Sequence, residues 1–207
     1  PSQLVVWENA EATYNAITGS ETLFRFGIAA GIICYIAFLF LPFVLYKLLS
    51  PVNKSHALAM VALSVISVPI SLVNLLNKFS VLTLLSGDDY LNVLGTDQLQ
   101  AQILLQLEYY NNGIQLASVF WGLWLLPFGY LVFKSGFLPK LLGVLLMAGC
   151  VGYLINTFGS LLFQDYSGLG ISGIVSLPAT LGEIGTCLWL LIMGVKEKHV
   201  PTLTLTL

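Results

Sequence analysis

Glu183 has the clearest capacity for chemistry in this sequence, because it lies in the middle of a long apolar stretch. An ionisable side chain at membrane depth is costly unless it finds a partner. Gly182 and Gly185 flank Glu183, and neither end of the stretch is near enough for the carboxylate to reach water. A carboxyl group in that position is either protonated or paired with a cation or hydrogen-bond donors. The pattern therefore predicts a proton, cation or ligand site, with an interhelical hydrogen bond as the structural alternative.

Two other apolar stretches carry polar side chains at helical spacing. Glu108, Asn112 and Gln115 recur at i, i+4 and i+7 and form one polar stripe. Asn74 and Lys78 share a face of the preceding stretch at comparable depth. Lys78 and Glu108 are therefore candidates for an ion pair.

A further polar face comes from Tyr153, Asn156 and Ser160 in the fourth apolar stretch. Arg25, four residues after Glu21, either seals this region or serves as an ordinary interfacial anchor. All these polar groups fall in the same half of their stretches, so we expect a polar pocket that opens toward one side. A dead-end pocket is more readily a ligand-binding site than a channel. A hydrogen-bonded plug that holds the helices together is the structural alternative.

Other kinds of site are excluded by residues that the sequence lacks. The two histidines, His56 and His199, lie near the ends of apolar stretches, which argues against paired haem ligands, an HExxH zinc site or a histidine triad within the membrane. The three cysteines are too far apart for a CxxC motif, and there is neither a Walker loop nor a dinucleotide fingerprint. We therefore expect no metal, no cofactor and no catalytic residue.

The polar residues must be positioned by membrane-spanning helices. Hydrophobic residues make up 57% of the 207 residues and charged residues only 9%, against about 25% charged in an ordinary soluble domain. Crossing a bilayer takes about 20 mostly apolar helical residues, and five stretches reach that length. The predicted helices A to E cover residues 23–49, 57–85, 103–133, 138–163 and 171–195. The sequence thus predicts an all-α, polytopic transmembrane bundle.

Lysine positions predict the orientation of this bundle, because short loops rich in Lys and Arg stay in the cytoplasm. Six lysines flank the A–B connector, the C–D connector and the end of helix E: Lys47, Lys54, Lys134, Lys140, Lys196 and Lys198. Residues 1–22 then form an extracytoplasmic segment, residues 23–195 the membrane domain and residues 196–207 a cytoplasmic tail. Translocating a polar N-terminal segment usually needs a cleaved signal or a preceding helix, so we expect a sixth helix upstream.

Several stretches carry a family resemblance that extends over most of the chain. They are Ser20 to Ala30, Leu48 to Lys54, Gly129 to Lys140 with Leu142 to Leu145, and Gly182-Glu183 with Leu188 to Val195. In these stretches the chain resembles a bacterial family of multi-spanning membrane proteins known as a domain of unknown function, DUF4386. The resemblance implies an additional first helix and places Arg25 and Glu183 inside recurring motifs. It implies no activity, ligand or catalytic residue.

The function expected from these patterns is that of a non-enzymatic protein of the bacterial inner membrane. It binds a small or lipidic ligand, or a partner subunit, through the outward polar pocket. Membrane lipids, a second copy of the chain or another membrane subunit are the expected partners, and nucleic acid is not, since the chain has no basic block. One alternative is an ion-coupled transporter that uses Glu183. Another is an intramembrane enzyme that uses Glu183, Tyr153 and Asn156.

Overall fold

A computed structural model describes residues 2–194, which are almost entirely helical and contain no strand. Short 3-10 turns at Ser2–Leu4, Asp89–Val93 and Tyr166–Leu169 lie between or before the α-helices. The α-helices within these residues are α1 (Ala10–Gly19), α2 (Glu21–Leu49), α3 (Lys54–Asn74), α4 (Leu76–Leu84), α5 (Thr96–Leu123), α6 (Leu125–Lys134), α7 (Lys140–Leu162) and α8 (Ile171–Met193). The predicted all-α class is confirmed.

Five helical segments in the described part of the chain are long and apolar enough to cross a membrane, as predicted. They are Glu21–Leu49, Lys54–Leu84, Thr96–Lys134, Lys140–Leu162 and Ile171–Met193. The third begins seven residues before the predicted start at residue 103, because a helix continues into polar sequence wherever its backbone hydrogen bonds are kept. Val195 and the predicted tail, residues 196–207, lie outside the described residues.

The third span is interrupted at Trp124, between α5 and α6, and its sequence explains why. Pro127 has no N–H group to donate to the carbonyl of Leu123, four residues earlier. The Trp124 N–H still bonds to the Phe120 carbonyl at 3.1 Å, so the segment continues across the interruption. Membrane helices accept such breaks where neighbouring groups compensate.

The chain divides into two compact units, the first made of residues 2–38 and 68–117 and the second of residues 39–67 and 118–194. In the first unit the N-terminal segment is packed against the other helices. Asn9 caps α1 by accepting a hydrogen bond from the Ala12 N–H at 2.9 Å. The apolar core of this unit consists of Leu4, Ile17, Phe24, Ile28, Val81, Ile103 and Leu107. Residues 1–22 therefore include a helix in a packed core, and their side of the membrane stays a prediction.

In the second unit α7 packs closely against α6 on one side and α8 on the other. Glycines allow the close approach: a Cβ atom on Gly149 would lie 2.6 Å from the Ala179 Cα of α8. A Cβ atom on Gly143 would lie 2.7 Å from the Gly129 carbonyl oxygen of α6. Small residues at such contacts are the usual means by which membrane helices approach each other. The first contact fixes α8 against α7, where the second group of predicted polar residues lies, and the second fixes α6 against α7.

Candidate functional site

Asn74 is the centre of a polar cluster in the first unit. Its Nδ2 donates to the Tyr110 carbonyl at 2.8 Å, and its Oδ1 accepts a hydrogen bond from Asn77 Nδ2 at 2.9 Å. Gly113 leaves room for this amide, because a Cβ atom there would collide with it. Asn74 is only 7% exposed, so its hydrogen bonds hold α3 against α5. Hydrogen bonds of this kind are those of the structural alternative, a hydrogen-bonded plug that holds the helices together.

Lys78 lies beside the same cluster but does not pair with Glu108. Its Nζ is 3.8 Å from the centroid of the Tyr110 ring, which is a cation–π contact. Tyr110 also shares side-chain hydrogen bonding with Tyr35 of α2, which in turn bonds to Ser71. Glu108 precedes Tyr110 by two residues and therefore points to a nearly opposite face of α5. The Lys78 to Glu108 ion pair considered from the sequence is thus not formed.

The remaining predicted residues of the first unit lie at its surface. Glu108 and Asn112 are exposed, and Gln115 is half-buried. None of the three has a side-chain hydrogen bond to another of residues 2–194. Arg25 is exposed as well and pairs with Glu21 through its Nη2 at 2.7 Å, the single ion pair within that range. An exposed pair of this kind contributes little to stability, and the role of Arg25, as a seal of the region or as an interfacial anchor, stays a prediction.

In the second unit a row of hydrogen bonds runs between α7 and α8, and we call it the α7–α8 polar track. Asn156 Nδ2 donates to the Ser176 hydroxyl at 2.8 Å and to the Ser172 carbonyl at 3.2 Å. The Ser176 hydroxyl donates to the same Ser172 carbonyl at 2.7 Å. The Asn156 Oδ1 accepts a hydrogen bond from the Tyr166 hydroxyl at 2.6 Å. The track thus starts at the α7–α8 connector and passes inward along α8 to Ser176.

Tyr166 closes the connector end of the track. Its side chain is 6% exposed, and its ring packs on Gly159, where a Cβ atom would collide with it. The connector folds back over α7, so that the Tyr166 hydroxyl can reach Asn156.

Glu183 lies two helical turns beyond Ser176, or about 10 Å further along α8. It is half-buried and, within residues 2–194, its carboxylate has no hydrogen-bond partner. Tyr153 of α7 is near enough to interact with it electrostatically. Gly122 of α5 makes room for Tyr153, since a Cβ atom there would lie 2.6 Å from the tyrosine Cβ. The track and Glu183 together place hydrogen-bonding groups from the connector to the middle of α8.

The structure divides the predicted polar residues between the two units. Asn74, Lys78, Glu108, Asn112, Gln115 and Arg25 belong to the first unit, and Tyr153, Asn156 and Glu183 to the second. The single pocket expected across helices B to E therefore stays a prediction. Sequence reasoning missed the participation of Tyr35, Ser71, Ser172 and Ser176. The spacing of Ser172 and Ser176, four residues apart on one helix face, is the signal that could have identified the last two.

No group of three or more His, Cys, Asp or Glu side chains in the described part of the chain could hold a metal ion. The α7–α8 polar track offers amide and hydroxyl groups and Glu183 a carboxylate, and such groups interact through hydrogen bonds and charge. This donor set suits molecules that carry amine or hydroxyl groups.

Comparison with known proteins gives a family but no activity. Residues 1–194 match the family model described as "Domain of unknown function (DUF4386)". An uncharacterised protein of Archaeoglobus fulgidus is 32% identical over 87 residues, which cover 42% of this chain and 49% of that protein. The match thus spans about half the length of that relative. No solved structure is significantly similar.

Proposed function

The chain belongs to the DUF4386 family, and from this premise we propose that it is a membrane protein that binds a small or lipidic ligand at Glu183. The observation that carries the proposal is the half-buried carboxylate of Glu183, which has no hydrogen-bond partner within residues 2–194. Ten residues separate Glu183 from the end of α8 at Met193, a rise of about 15 Å. A membrane helix retains such a group where a ligand, proton or partner satisfies it.

The chemistry of the ligand follows from the surroundings of Glu183. The carboxylate accepts hydrogen bonds and attracts cations, so its complement is an amine or hydroxyl group. The neighbouring α8 side chains Leu181, Ile184 and Leu188 are 49–56% exposed and provide an apolar surface beside it. An amphiphile with an amine or hydroxyl head group matches both features.

The α7–α8 polar track supports this proposal from the connector side. Asn156 and Ser176 already bond to each other and to backbone groups, so their hydrogen bonds stabilise the helix pair. Tyr153 lies between this hydrogen-bonded part and Glu183, and its hydroxyl has no hydrogen-bond partner within the described range. Glu183 and Tyr153, which lie beyond the inner end of the track, are therefore the polar groups that remain available to a ligand.

A thermal-unfolding assay on the purified full chain in detergent tests the proposal. The probes are a long-chain amine, a long-chain alcohol and a fatty acid of equal length. A ligand present at 100 times its Kd stabilises the folded state by about 2.7 kcal/mol, which raises the unfolding midpoint by about 5–10 °C for a chain of this size. We expect the amine and the alcohol to raise the midpoint, and the fatty acid, a like charge to Glu183, to leave it unchanged.

Two variants separate a site at Glu183 from general detergent effects. Glu183→Gln should remove most of the shift caused by the amine, because it removes the charge and keeps the shape. Glu108→Gln makes the same change at an exposed carboxylate of the first unit and should keep the full shift. The proposal fails if no amphiphile shifts the midpoint, or if both variants respond as the wild type does.

An ion-coupled transporter is the second candidate, and one observation favours it. Pro178 lies inside α8, five residues before Glu183, and weakens the backbone hydrogen bonding of the helix there. A helix that bends at this point could expose the carboxylate to each side in turn. Proton and solute flux in proteoliposomes should then fall when Glu183 is replaced by Gln, and equal flux in the wild type and the variant would contradict transport.

A helix from a partner membrane subunit or from a second copy of the chain is a further candidate to contact Glu183. In the most apolar part of α8 only 17% of the residues are buried, which leaves a surface for such a helix. A donor from such a helix could pair with Glu183. Molecular-mass measurement in detergent would then give an oligomer in the wild type and a smaller species in Glu183→Gln.

For its location we propose the cytoplasmic membrane, with the lysine-bearing connectors in the cytoplasm and residues 1–22 outside. The positive-inside rule supports this orientation. A bacterial origin stays a prediction, since the relative in Archaeoglobus fulgidus is archaeal. To test this orientation, a single cysteine is placed at Ser55 or at Gly95 in a cysteine-free chain. Intact cells are then treated with a thiol reagent that does not cross the membrane. The cysteine at Gly95 should be labelled, and the one at Ser55 should not. Labelling at Ser55 but not at Gly95 would contradict the orientation.

A further inference from the structure

A pocket in the second unit lies at the end of the helices opposite to the α7–α8 connector. It has a volume of about 500 Å³, which is within the usual range for small-molecule sites. The turn after α2 contributes Leu48, Pro51 and Val52, and the α6–α7 turn region contributes Tyr130, Lys134, Ser135 and Phe137. Its lining is thus apolar on one part and carries a cation and two hydroxyl groups on another.

The polar groups of this pocket differ in whether they are already engaged. The Ser135 hydroxyl donates to the Val132 carbonyl at 2.8 Å and accepts from the Leu138 N–H at 3.1 Å, so it holds the turn. Neither Lys134 Nζ nor the Tyr130 hydroxyl has a hydrogen-bond partner within residues 2–194. An ammonium group and a phenol hydroxyl that line one cavity form a donor pair suited to an anion with several oxygen atoms.

The Tyr130 ring is supported by a stacking contact. It stacks on His56, with ring centroids 4.2 Å apart and planes inclined by 22°. His56 lies in the first turn of α3, where its N–H donates to Asn53 Oδ1 at 3.0 Å. The His56 Nδ1 atom is buried without a hydrogen-bond partner among the described residues. The stacking on His56 therefore constrains the orientation of the Tyr130 ring in the pocket wall.

Charge at this end of the unit is of one sign. Lys47 and Lys54 flank the first turn, and Lys134 and Lys140 flank the second. The described residues of the unit include two carboxylates, Asp165 and Glu183, of which one lies in the opposite connector and the other in the middle of α8. Basic pockets between membrane helices attract the head groups of anionic lipids, and each Lys or Arg near such a surface contributes about 1 kcal/mol.

From these observations we propose that this pocket binds the phosphate group of an anionic phospholipid, with Lys134 and Tyr130 as its donors. A phosphate group could also come from free inorganic phosphate. The apolar lining by Leu48, Val52 and Phe137 favours the lipid, because it offers contact to the glycerol and the first carbons of the acyl chains. This site is separate from Glu183 and does not depend on the ligand proposed there.

Native mass spectrometry of the purified full chain tests the proposal, with phosphatidylglycerol and phosphatidylcholine of identical acyl chains as probes. We expect phosphatidylglycerol to be retained preferentially by the wild type. Lys134→Gln should weaken its binding about fivefold, since the loss of about 1 kcal/mol corresponds to that factor. Tyr130→Phe should weaken it as well while the ring keeps its stacking on His56.

Lys140→Gln is the matched control, because it removes the same charge from the same turn region and Lys140 does not line the pocket. Its Nζ lies 5.7 Å from the centroid of the Phe133 ring. We expect less than a twofold change. Equal losses in Lys134→Gln and Lys140→Gln would mean attraction by bulk charge and would overturn the site. Equal retention of both lipids, or full displacement of phosphatidylglycerol by millimolar inorganic phosphate, would overturn the assignment to a lipid.

Discussion

Replacing Gly149 by Ala should separate α7 from α8 and break the α7–α8 polar track. The added Cβ atom would lie 2.6 Å from the Ala179 Cα and 2.8 Å from its Cβ. Non-bonded carbon atoms normally stay about 3.5–4.0 Å apart, so the helices must move apart by about 1 Å. The hydrogen bond from Asn156 Nδ2 to the Ser176 hydroxyl, now 2.8 Å, would then exceed the usual limit of about 3.2 Å.

The expected loss of stability follows from three contributions. Overpacking typically costs about 1–3 kcal/mol, and a hydrogen bond between membrane helices contributes about 0.6 kcal/mol on average. Alanine has a better helix propensity than glycine by up to about 1 kcal/mol, which offsets part of the loss. We therefore expect Gly149→Ala to lower the free energy of unfolding by about 2 kcal/mol, or the unfolding midpoint by about 4–8 °C.

Thermal unfolding in detergent, followed by circular dichroism at 222 nm, measures this difference. Gly173→Ala is the matched control in α8, because a Cβ atom there would meet nothing within 4 Å. It should leave the midpoint unchanged or raise it slightly through helix propensity. If Gly149→Ala is as stable as Gly173→Ala, the close contact of Gly149 with Ala179 does not limit the size of the residue at position 149, and the reasoning from glycine packing is refuted.

Two further predictions concern the polar contacts of each unit. A double-mutant cycle of Lys78→Met and Tyr110→Leu, measured by unfolding, should give a coupling energy of about 0.5–1 kcal/mol, because Lys78 Nζ lies 3.8 Å from the Tyr110 ring centroid. A coupling energy of zero would contradict this contact. Gly159→Ala should displace the Tyr166 ring and break its 2.6 Å hydrogen bond to Asn156, which lowers the free energy of unfolding by about 1–3 kcal/mol. Gly168→Ala in the same connector region is the control and should have little effect, because the added Cβ atom meets no atom within 4 Å. Equal effects of the two variants would contradict the proposed role of Gly159.

Local signals in the sequence were sufficient for the helices and for part of the polar site. Asn156 was predicted to share a polar face with Tyr153 and Ser160, and the structure gives it hydrogen-bond partners on α8. Its bond with Tyr166 was not predicted, because that contact depends on how the connector folds back over Gly159. Likewise, the spacing of Lys78 and Glu108 could not reveal that Tyr110 would occupy the place beside the lysine.

By itself the sequence determined the family, the all-α class and the five membrane-spanning segments, because length and apolar content decide whether a helix can cross a bilayer. It also determined that a carboxylate lies in the middle of the last span. Only the tertiary structure decided which small residues form helix contacts. Gly149 packs on α8, whereas its neighbour Ala148, also a small residue, is exposed. The tertiary structure likewise decided that Lys134 and Tyr130 line one pocket. Both facts depend on the rotation and pairing of helices, which an almost uniformly apolar sequence leaves open, since every face of such a helix is compatible with lipid.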